Sequence, residues 1–388
     1  MAKLILKYIY ITGISLMIYV VGCHDPVLKY VQPPADKLIF TENVNYQRQN
    51  FIAKDFPYPL ILIREESING VTTPFIGLFN DHAVVTTVNG YLSIIPVDDI
   101  GDNSKTRLSK GIKAAPTLYG DQLFIPLIEG GAGLKVYNIK TARIAWQQEH
   151  NYSESSPIVI DDLAYHANRQ GKIYCIKATS GNNIWQNDLN DAINTNLILI
   201  NQNIAAVSQN GIIQIFDPKS GVVRFTDTID DPVYAQSISI KDDLFVISFR
   251  GKLYKINQST NTLALVKDFH TKTYTALASD GQRLIISLSS GDIVCMSLPD
   301  HIELWRIQTE GPASCPPLMT NNCVIIGTSQ RFVYIIEKNN GKIFQTLDLG
   351  GRLSAPPVIS GINILMAYEY DKIAQFGKAG KENNVPVN

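Results

Sequence analysis

Several features that would mark common classes of protein are missing from this chain of 388 residues. The five cysteines include neither a Cys-x-x-Cys nor an adjacent pair, and the six histidines show no His-x-His or His-Glu-x-x-His spacing. No sequence signature therefore supports a zinc site. The formal net charge is only −1, so the sequence lacks the basic excess that nucleic-acid binding normally requires. We find no convincing helical period after residue 23, and no catalytic or metal-binding constellation.

The chain also has no apolar run long enough for an ordinary transmembrane helix. Residues 8–21 form an uncharged, largely apolar stretch that follows Lys3 and Lys7, whereas a spanning helix needs about 20 residues. This stretch is typical of a secretory signal. It ends in Val20-Val21-Gly22-Cys23, which resembles the bacterial lipobox. We therefore predict a lipoprotein signal peptide over 1–22 and lipidation of Cys23.

The residues after the predicted cleavage site bear on location. His24, and not an aspartate, directly follows Cys23, which by the lipoprotein rule favours the outer membrane over inner-membrane retention. Several acyl chains on one residue would give stable anchoring. Residues 23–58 are polar and weakly periodic, and we interpret them as the lipidated N-terminus and a tether. The expected location is the outer membrane, facing the periplasm.

A repeat of about forty residues dominates the rest of the chain. Gly171-Lys172-Ile173-Tyr174 recurs as Gly211-Ile212-Ile213-Gln214, Gly251-Lys252-Leu253-Tyr254 and Gly291-Asp292-Ile293-Val294. Turn residues follow about ten positions later, and a large apolar residue such as Trp185 or Trp305 stands four positions beyond the turn. Each unit therefore predicts four short antiparallel strands joined by tight turns, which is the pattern of a propeller blade.

We count eight units, which predicts an all-β fold: one eight-bladed β-propeller over residues 59–388. The predicted units are 77–113, 114–153, 154–196, 197–236, 237–275, 276–315, 316–355 and 356–388. The last unit lacks its final strand, and Pro59-Leu60-Ile61-Leu62-Ile63 has strand character. We expect this N-terminal strand to complete the last blade and to join the two ends of the chain.

Two residue types need separate interpretation. Trp146, Trp185 and Trp305 lie on or next to the repeat, so we expect them to pack between blades and not to stack on a ligand. Cys175 and Cys295 occupy the same strand position three blades apart, too far for a disulfide. Cys315 and Cys323 flank one apolar strand and could pair only if that strand bends back, so this disulfide is left open.

The unit that runs from Ser156-Pro157 through Gly171-Lys172-Ile173-Tyr174 to Ser180-Gly181 and Trp185 resembles the PQQ-type repeat of quinoproteins. Together with the lipobox and the eight units, the chain is similar to the BamB family, lipoproteins of the outer-membrane β-barrel assembly machinery. The resemblance covers about residues 75–388 and the signal. It implies a non-enzymatic periplasmic scaffold without a cofactor, which binds the POTRA region of BamA to support outer-membrane protein assembly.

In that family, the contact with BamA uses loops that correspond to Gln186–Asn196 and Thr226–Gln236. The family's charged contact residues do not map cleanly here, because these two loops carry aspartates. Consecutive copies of one connection emerge on the same side of a propeller, so the loops should be neighbours. We therefore predict an acidic partner-binding edge made of Asp188, Asp191, Asp227, Asp230 and Asp231.

Two alternatives remain, because a fold does not imply a function. A PQQ-dependent dehydrogenase would need a Ca²⁺ held near the axis by carboxylate and amide oxygens, and a catalytic aspartate. The chain lacks the adjacent cysteines that often accompany that chemistry, and its repeated acidic residues lie at turns. A lipid-anchored propeller with an unrelated protein partner is the other alternative.

Overall fold

The computed structural model describes residues 39–41, 44–79, 81–101, 104–128, 133–148, 153–369 and 371–379. All regular secondary structure in these ranges is β, with 33 strands in eight antiparallel sheets. Contacts between innermost strands join neighbouring sheets, so the sheets form the blades of a ring. The predicted all-β, eight-bladed propeller is confirmed.

Two strands precede the first repeat, β1 (Ile39–Phe40) and β2 (Leu60–Ser67). Blade 1 consists of β3 (Thr72–Phe79), β4 (His82–Thr87), β5 (Tyr91–Pro96) and β6 (Ser104–Arg107), and blade 2 of β7 (Thr117–Tyr119), β8 (Gln122–Pro126), β9 (Leu134–Asn138) and β10 (Arg143–Gln148). Blade 3 consists of β11 (Ile158–Ile160), β12 (Leu163–Ala167), β13 (Lys172–Lys177) and β14 (Asn183–Asp188), and blade 4 of β15 (Ile198–Ile200), β16 (Asn203–Val207), β17 (Ile212–Phe216) and β18 (Val223–Thr228).

Blade 5 consists of β19 (Ile238–Ile240), β20 (Asp243–Ile247), β21 (Lys252–Asn257) and β22 (Thr262–Asp268), and blade 6 of β23 (Ala278–Ser279), β24 (Arg283–Ser287), β25 (Asp292–Ser297) and β26 (Glu303–Gln308). Blade 7 consists of β27 (Leu318–Met319), β28 (Cys323–Gly327), β29 (Phe332–Glu337) and β30 (Ile343–Asp348). Blade 8 contains β31 (Val358–Ser360), β32 (Asn363–Tyr368) and β33 (Lys372–Lys378).

The core lies between blades and not within one sheet. The second and third strands of a blade are almost wholly buried, as in β12 and β13, whereas the outermost strand alternates between exposed and half-buried residues, as in β14. One apolar cluster joins Ile200 and Val207 of blade 4 to Leu244 and Val246 of blade 5. Each blade therefore buries its two faces only against its neighbours, which is why the strands need the whole ring.

The tryptophans of the repeat dock onto the next blade, as predicted. Trp185 of blade 3 donates a hydrogen bond from Nε1 to the carbonyl oxygen of Pro218 in blade 4, at 2.8 Å. A Cβ atom on Gly221, which has a φ of +71°, would lie 2.6 Å from the indole ring. The equivalent contacts join Trp146 to Ala178 and Gly181, and Trp305 to Lys338 and Gly341. The glycine of this turn thus allows both the tight turn and the close approach of the indole ring.

The N-terminal strand completes the last blade. Strand β2 pairs antiparallel with β33, from Leu60 opposite Lys378 to Ser67 opposite Lys372, so the predicted joining of the two chain ends is confirmed. The predicted start of blade 1 at residue 77 is wrong, because β3 already begins at Thr72. Pro74 interrupts the local pattern, and the register of β3 against β4 shifts between Thr72 and Ile76.

The interpretation of residues 23–58 as a tether is wrong for the part that the structure describes. Residues 39–41 and 44–56, called the axial segment below, lie in the central channel. Strand β1 adds a fifth strand to blade 2 by pairing with β7. Backbone N–H groups of four successive innermost strands then donate to backbone carbonyl oxygens of the axial segment at 2.8–2.9 Å. The pairs are Leu199 to Tyr46, Ser239 to Gln47, Ser279 to Gln49 and Met319 to Asn50.

The four described cysteines are free and buried. Cys315 precedes β27 and Cys323 begins β28, so the strand and its turn keep them apart, and the disulfide left open by the sequence does not form. Burial raises the pKa of both thiols to about 12. The predicted signal peptide and Cys23 lie outside the described residues.

Candidate functional site

The connections between blades gather on one face of the ring. We call it the loop face: it carries the segments from the outermost strand of one blade to the innermost strand of the next, together with the turns between second and third strands. The opposite face carries the other hairpin turns. Both predicted partner-binding loops, Gln186–Asn196 and Thr226–Gln236, lie on the loop face, after blades 3 and 4.

Hydrogen bonds hold these two loops side by side. The backbone N–H of Asn196 donates to Gln236 Oε1 at 2.6 Å, and Gln236 Nε2 donates to the carbonyl oxygen of Asn196 at 3.2 Å. Gln209, in a turn of blade 4, bridges them further, because its N–H donates to Ala192 and its carbonyl accepts from Val233. The expected proximity of the loops is therefore confirmed, and their backbones are fixed before any partner binds.

The five predicted aspartates are not equivalent. Asp188 and Asp230 are exposed, and Asp191 and Asp227 are half-buried. Asp191 accepts hydrogen bonds from Ser208, from both nitrogens of Asn210 and from the N–H of Ala192. Burial alone would raise the pKa of its carboxyl, but these bonds outweigh burial and lower it. Asp191 thus shapes its loop, while Asp188 and Asp230 expose their charge to solvent, although Asp188 Oδ1 also accepts from the N–H of Asn190 at 2.8 Å.

Asp231 cannot be a surface contact, which corrects the prediction for this residue. It is only 3% exposed. Its Oδ2 accepts a hydrogen bond from Ser248 Oγ at 2.7 Å, and Arg250 Nε lies 3.8 Å from Oδ1. Burying a carboxylate is tolerable only with such partners. The predicted acidic edge is therefore reduced to fewer exposed charges than the sequence suggested.

The loop Thr226–Gln236 nevertheless produces a negative electrostatic potential around it. Burial raises the pKa of Tyr254, and the nearby carboxylates of Asp231, Asp268 and Asp230 raise it further. Two aspartates of the connection that follows blade 4 and the last residue of β22 in blade 5 thus act on one tyrosine. Concentrated like charge of this kind steers an oppositely charged surface.

An aromatic cluster next to these aspartates escaped the sequence analysis. The ring of Phe249 makes edge-on contacts with Tyr234, at 5.5 Å between centroids, and with Tyr274, at 5.1 Å. Both tyrosines are exposed, by 42% and 57%, and Lys272 Nζ lies 5.1 Å from the Phe249 centroid. The signal was present, because Tyr234 and Tyr274 are forty residues apart and so share one position of the repeat.

The loop face surrounds a cavity of about 460 Å³ at the mouth of the central channel. Charged, amide and aromatic side chains line it, among them Lys113, Glu154, Arg169, Asn194 and Tyr274. Within the described ranges, no group of three or more His, Cys, Asp or Glu could hold a metal ion. No helix in the same ranges is long and apolar enough to cross a membrane.

Comparison with known proteins adds to this geometry. A family model described as outer membrane protein assembly factor BamB matches residues 79–260. The outer membrane protein assembly factor BamB of Shewanella oneidensis is 20% identical over 306 residues, which cover 73% of this chain and 72% of that protein. The chain resembles BamB. The resemblance that the repeat predicted is thereby confirmed.

Solved structures agree on the fold of this BamB-like chain. BamB from Moraxella catarrhalis superposes with a TM-score of 0.65 and 14% identity, covering 84% of this chain and all of that one. A europium-containing methanol dehydrogenase gives a TM-score of 0.72 at 9% identity, covering 87% of this chain and 97% of that one. Similarity at such low identity shows the propeller fold alone. The family model and the sequence relative, and not the superposition, favour BamB over the dehydrogenases.

Proposed function

We propose that this protein is a non-enzymatic lipoprotein scaffold of the outer-membrane protein assembly machinery, anchored in the outer membrane and facing the periplasm. In this proposal its loop face binds the POTRA region of a BamA-like protein. The match of residues 79–260 to the BamB family model carries the proposal. The rigid, exposed loop face supports it, because a preorganised surface loses little conformational entropy on binding.

The quinone dehydrogenase alternative fits the axial residues poorly. That chemistry would need Ca²⁺ among carboxylate and amide oxygens near the axis. At the axis of this propeller lies the fully buried guanidinium of Arg48, which donates to the carbonyl oxygens of Leu197 and Ser156 at 3.0 Å. A buried cation there repels a second cation, so we derive no step through a quinone or Ca²⁺.

The first experiment tests the anchor. Replacing Cys23 with serine removes the thiol that would carry the lipid, so the variant should lack lipid mass and leave the outer-membrane fraction. Mass spectrometry of the purified protein and membrane fractionation measure the two effects. A variant that still carries lipid and fractionates normally would rule out lipidation at Cys23.

The second experiment tests the partner and the acidic edge. We propose that Asp188 and Asp230 contribute exposed charge at the edge of the contact, with Asp191 and Asp227 shaping it and Asp231 supporting the loop from inside. Removing Asp188 and Asp230 together should lower the affinity for POTRA domains severalfold, mainly through a slower association rate, and weaken the salt dependence. Asp300→Ala, an exposed turn residue of the opposite face, is the matched control.

Surface plasmon resonance at low and high salt distinguishes the outcomes. Wild-type protein that does not bind POTRA domains contradicts the proposed partner. Wild-type protein that binds, with an unchanged affinity and salt slope in the double variant, keeps the partner but removes these aspartates from the contact.

A further inference from the structure

The axial segment lies on the inner side of the cavity on the loop face. The axial segment crosses the channel below it and bonds to the innermost strands of blades 3 to 7. Arg48, from this segment, donates Nη2 to Ser156 and Nε to Leu197, the residues just before the innermost strands of blades 3 and 4. The cavity has a volume of about 460 Å³, which falls within the roughly 300–1,000 Å³ of small-molecule sites.

The wall of this cavity is divided into arcs of different chemistry. The charged arc comes from blades 1 to 3, where Glu154 accepts from Lys113 at 2.9 Å and lies 3.5 Å from Arg169. The aromatic arc consists of Tyr234 and Tyr274, on the connections that follow blades 4 and 5. Lys113 and Tyr274 lie on connections four blades apart and so on opposite sides of the mouth, whereas only blade 4 lies between Arg169 of blade 3 and Tyr234.

Amide and hydroxyl groups lie between the arcs. Asn194 and Asn196 belong to the connection after blade 3, and Gln236 to the one after blade 4. Asn196 and Gln236 are buried and already bonded to each other and to Ser156, whereas Asn194 Oδ1 has no hydrogen-bond partner among the described residues. Amides both donate and accept hydrogen bonds. The two tyrosine rings are fixed by Phe249, whose N–H donates to Pro232 at 2.6 Å and whose carbonyl oxygen accepts from Thr273 at 3.1 Å.

This wall excludes most ligand classes. An apolar ligand would remove water from charged and amide groups without replacing their hydrogen bonds, which is costly. A cation would meet Lys113 and Arg169, and an anion would have to compete with Glu154, which already lies against both of them. A neutral molecule rich in hydroxyl groups satisfies both donors and acceptors, and a flat apolar side of it can rest on a tyrosine ring.

We infer that the cavity at the loop-face mouth is a binding site for the end of a neutral saccharide chain. Sugar hydroxyls bond to the charged arc and to Asn194 Oδ1, while the C–H face of a sugar ring packs against Tyr274 or Tyr234. This inference is independent of the proposed scaffold function, because it concerns the channel mouth and needs no protein partner.

The test uses the full-length protein with two probes, maltotriose and N,N′-diacetylchitobiose, measured by saturation-transfer NMR and calorimetry. At least one probe should bind with millimolar affinity or better. Tyr274→Ala and Arg169→Gln change exposed residues in opposite arcs, and each should weaken binding about tenfold, as expected for the loss of one stacked or charge-assisted contact. Ile362→Ala, exposed on the opposite face, should leave binding unchanged.

Two results would overturn the inference. One is the absence of saturation transfer to both probes when each probe is present at millimolar concentration and in excess over the protein. The other is binding that Tyr274→Ala and Arg169→Gln leave unaltered, which would put the sugar elsewhere on the protein. Circular dichroism and urea denaturation of each variant verify that the fold is intact, so a lost signal reports on the cavity.

Discussion

The contact between a tryptophan and a glycine of the next blade recurs in three places in this ring. In each, the indole N–H bonds to a backbone carbonyl and the ring lies over a glycine with positive φ. The glycine is required twice over: its φ is unfavourable for other residues, and a Cβ would collide with the ring. The same residue that closes a turn therefore seats the neighbouring blade.

Gly221→Ala separates these two requirements when it is compared with Gly361→Ala. Gly361 also has positive φ, at +60°, but a Cβ there would meet nothing within 4 Å. Gly361→Ala should cost about 1 kcal/mol from backbone strain alone. Gly221→Ala should cost about 1–3 kcal/mol more, because the Trp185 ring must shift. Urea denaturation of both variants provides the measurement, and equal losses would mean that the ring contact contributes nothing.

Asp280 shows how a turn residue joins two blades through charge. Its carboxylate accepts from the N–H groups of Arg283 and Gln282, and its Oδ2 lies 3.0 Å from Lys338 Nζ in blade 7. Burial alone would raise its pKa, but the hydrogen bonds and Lys338 outweigh burial and lower it from 3.8. The ionised form is thus favoured in the folded state.

A lowered pKa in the folded state predicts a specific pH dependence. The stabilisation from Asp280 is fully present above its ordinary pKa of 3.8 and is lost as the pH falls through that value towards the lower folded pKa. Asp280→Asn should therefore destabilise the protein at neutral pH, and its difference from wild type should shrink below about pH 4. Thermal unfolding across this range, with Asp300→Asn as control, tests it; a constant difference would contradict the assignment.

Among the larger elements, the axial segment is the one that no repeat predicted. It alternates buried Tyr46, Arg48 and Asn50 with the half-buried Gln47 and Gln49. Its carbonyl groups satisfy N–H groups on the inner edges of four blades, edges that would otherwise be unpaired. Its side chains add further hydrogen bonds to the inner strands, since Tyr46 Oη donates to the carbonyl oxygen of Val159 at 3.0 Å.

Arg48→Ala tests how much this segment holds the ring together. The guanidinium donates to Leu197, Ser156 and Thr41 Oγ1 at 2.8–3.0 Å, so its removal leaves buried acceptors without donors. We expect a loss of about 3 kcal/mol. Lys54→Ala, an exposed residue of the same segment, should change the urea midpoint little. A stable Arg48→Ala protein would mean that water replaces the guanidinium.

On the scale of the whole molecule, the closure of the ring depends on a strand from the other end of the sequence. Leu60 of β2 packs in one cluster with Phe376 of β33, and β2 supplies the outermost strand of blade 8. Ring closure removes most exposed sheet edges, which protects a propeller from association. The two ends of the propeller are thus one structural unit.

Two truncations separate this closure from the axial segment. A chain that starts at residue 57 keeps β2 and loses the axial segment, whereas one that starts at residue 69 loses both. The shorter chain should unfold less cooperatively and associate through the exposed β33 edge. Light scattering and urea denaturation measure both effects. Identical behaviour of the two chains would show that β2 does not hold the ring closed.

The sequence by itself determined the blade number, the strand pattern, the tryptophan docking and the N-terminal strand that completes blade 8. These follow from local and periodic signals, since turn glycines and alternating apolar residues recur every forty positions. The sequence also placed the two aspartate loops next to each other, because equivalent connections emerge on one side of a ring.

Only the tertiary structure decided which of those aspartates are exposed, and where residues 39–56 lie. Asp231 looks like its neighbour Asp230 in the sequence, yet it is buried against Ser248, seventeen residues away. Arg48 and its polar neighbours resemble a solvated tether until six inner strands surround them. Burial of a polar group depends on partners distant in the chain, and no repeat encodes those partners. The position of the axial segment and the cavity at the mouth of the channel are therefore decided only when the ring closes.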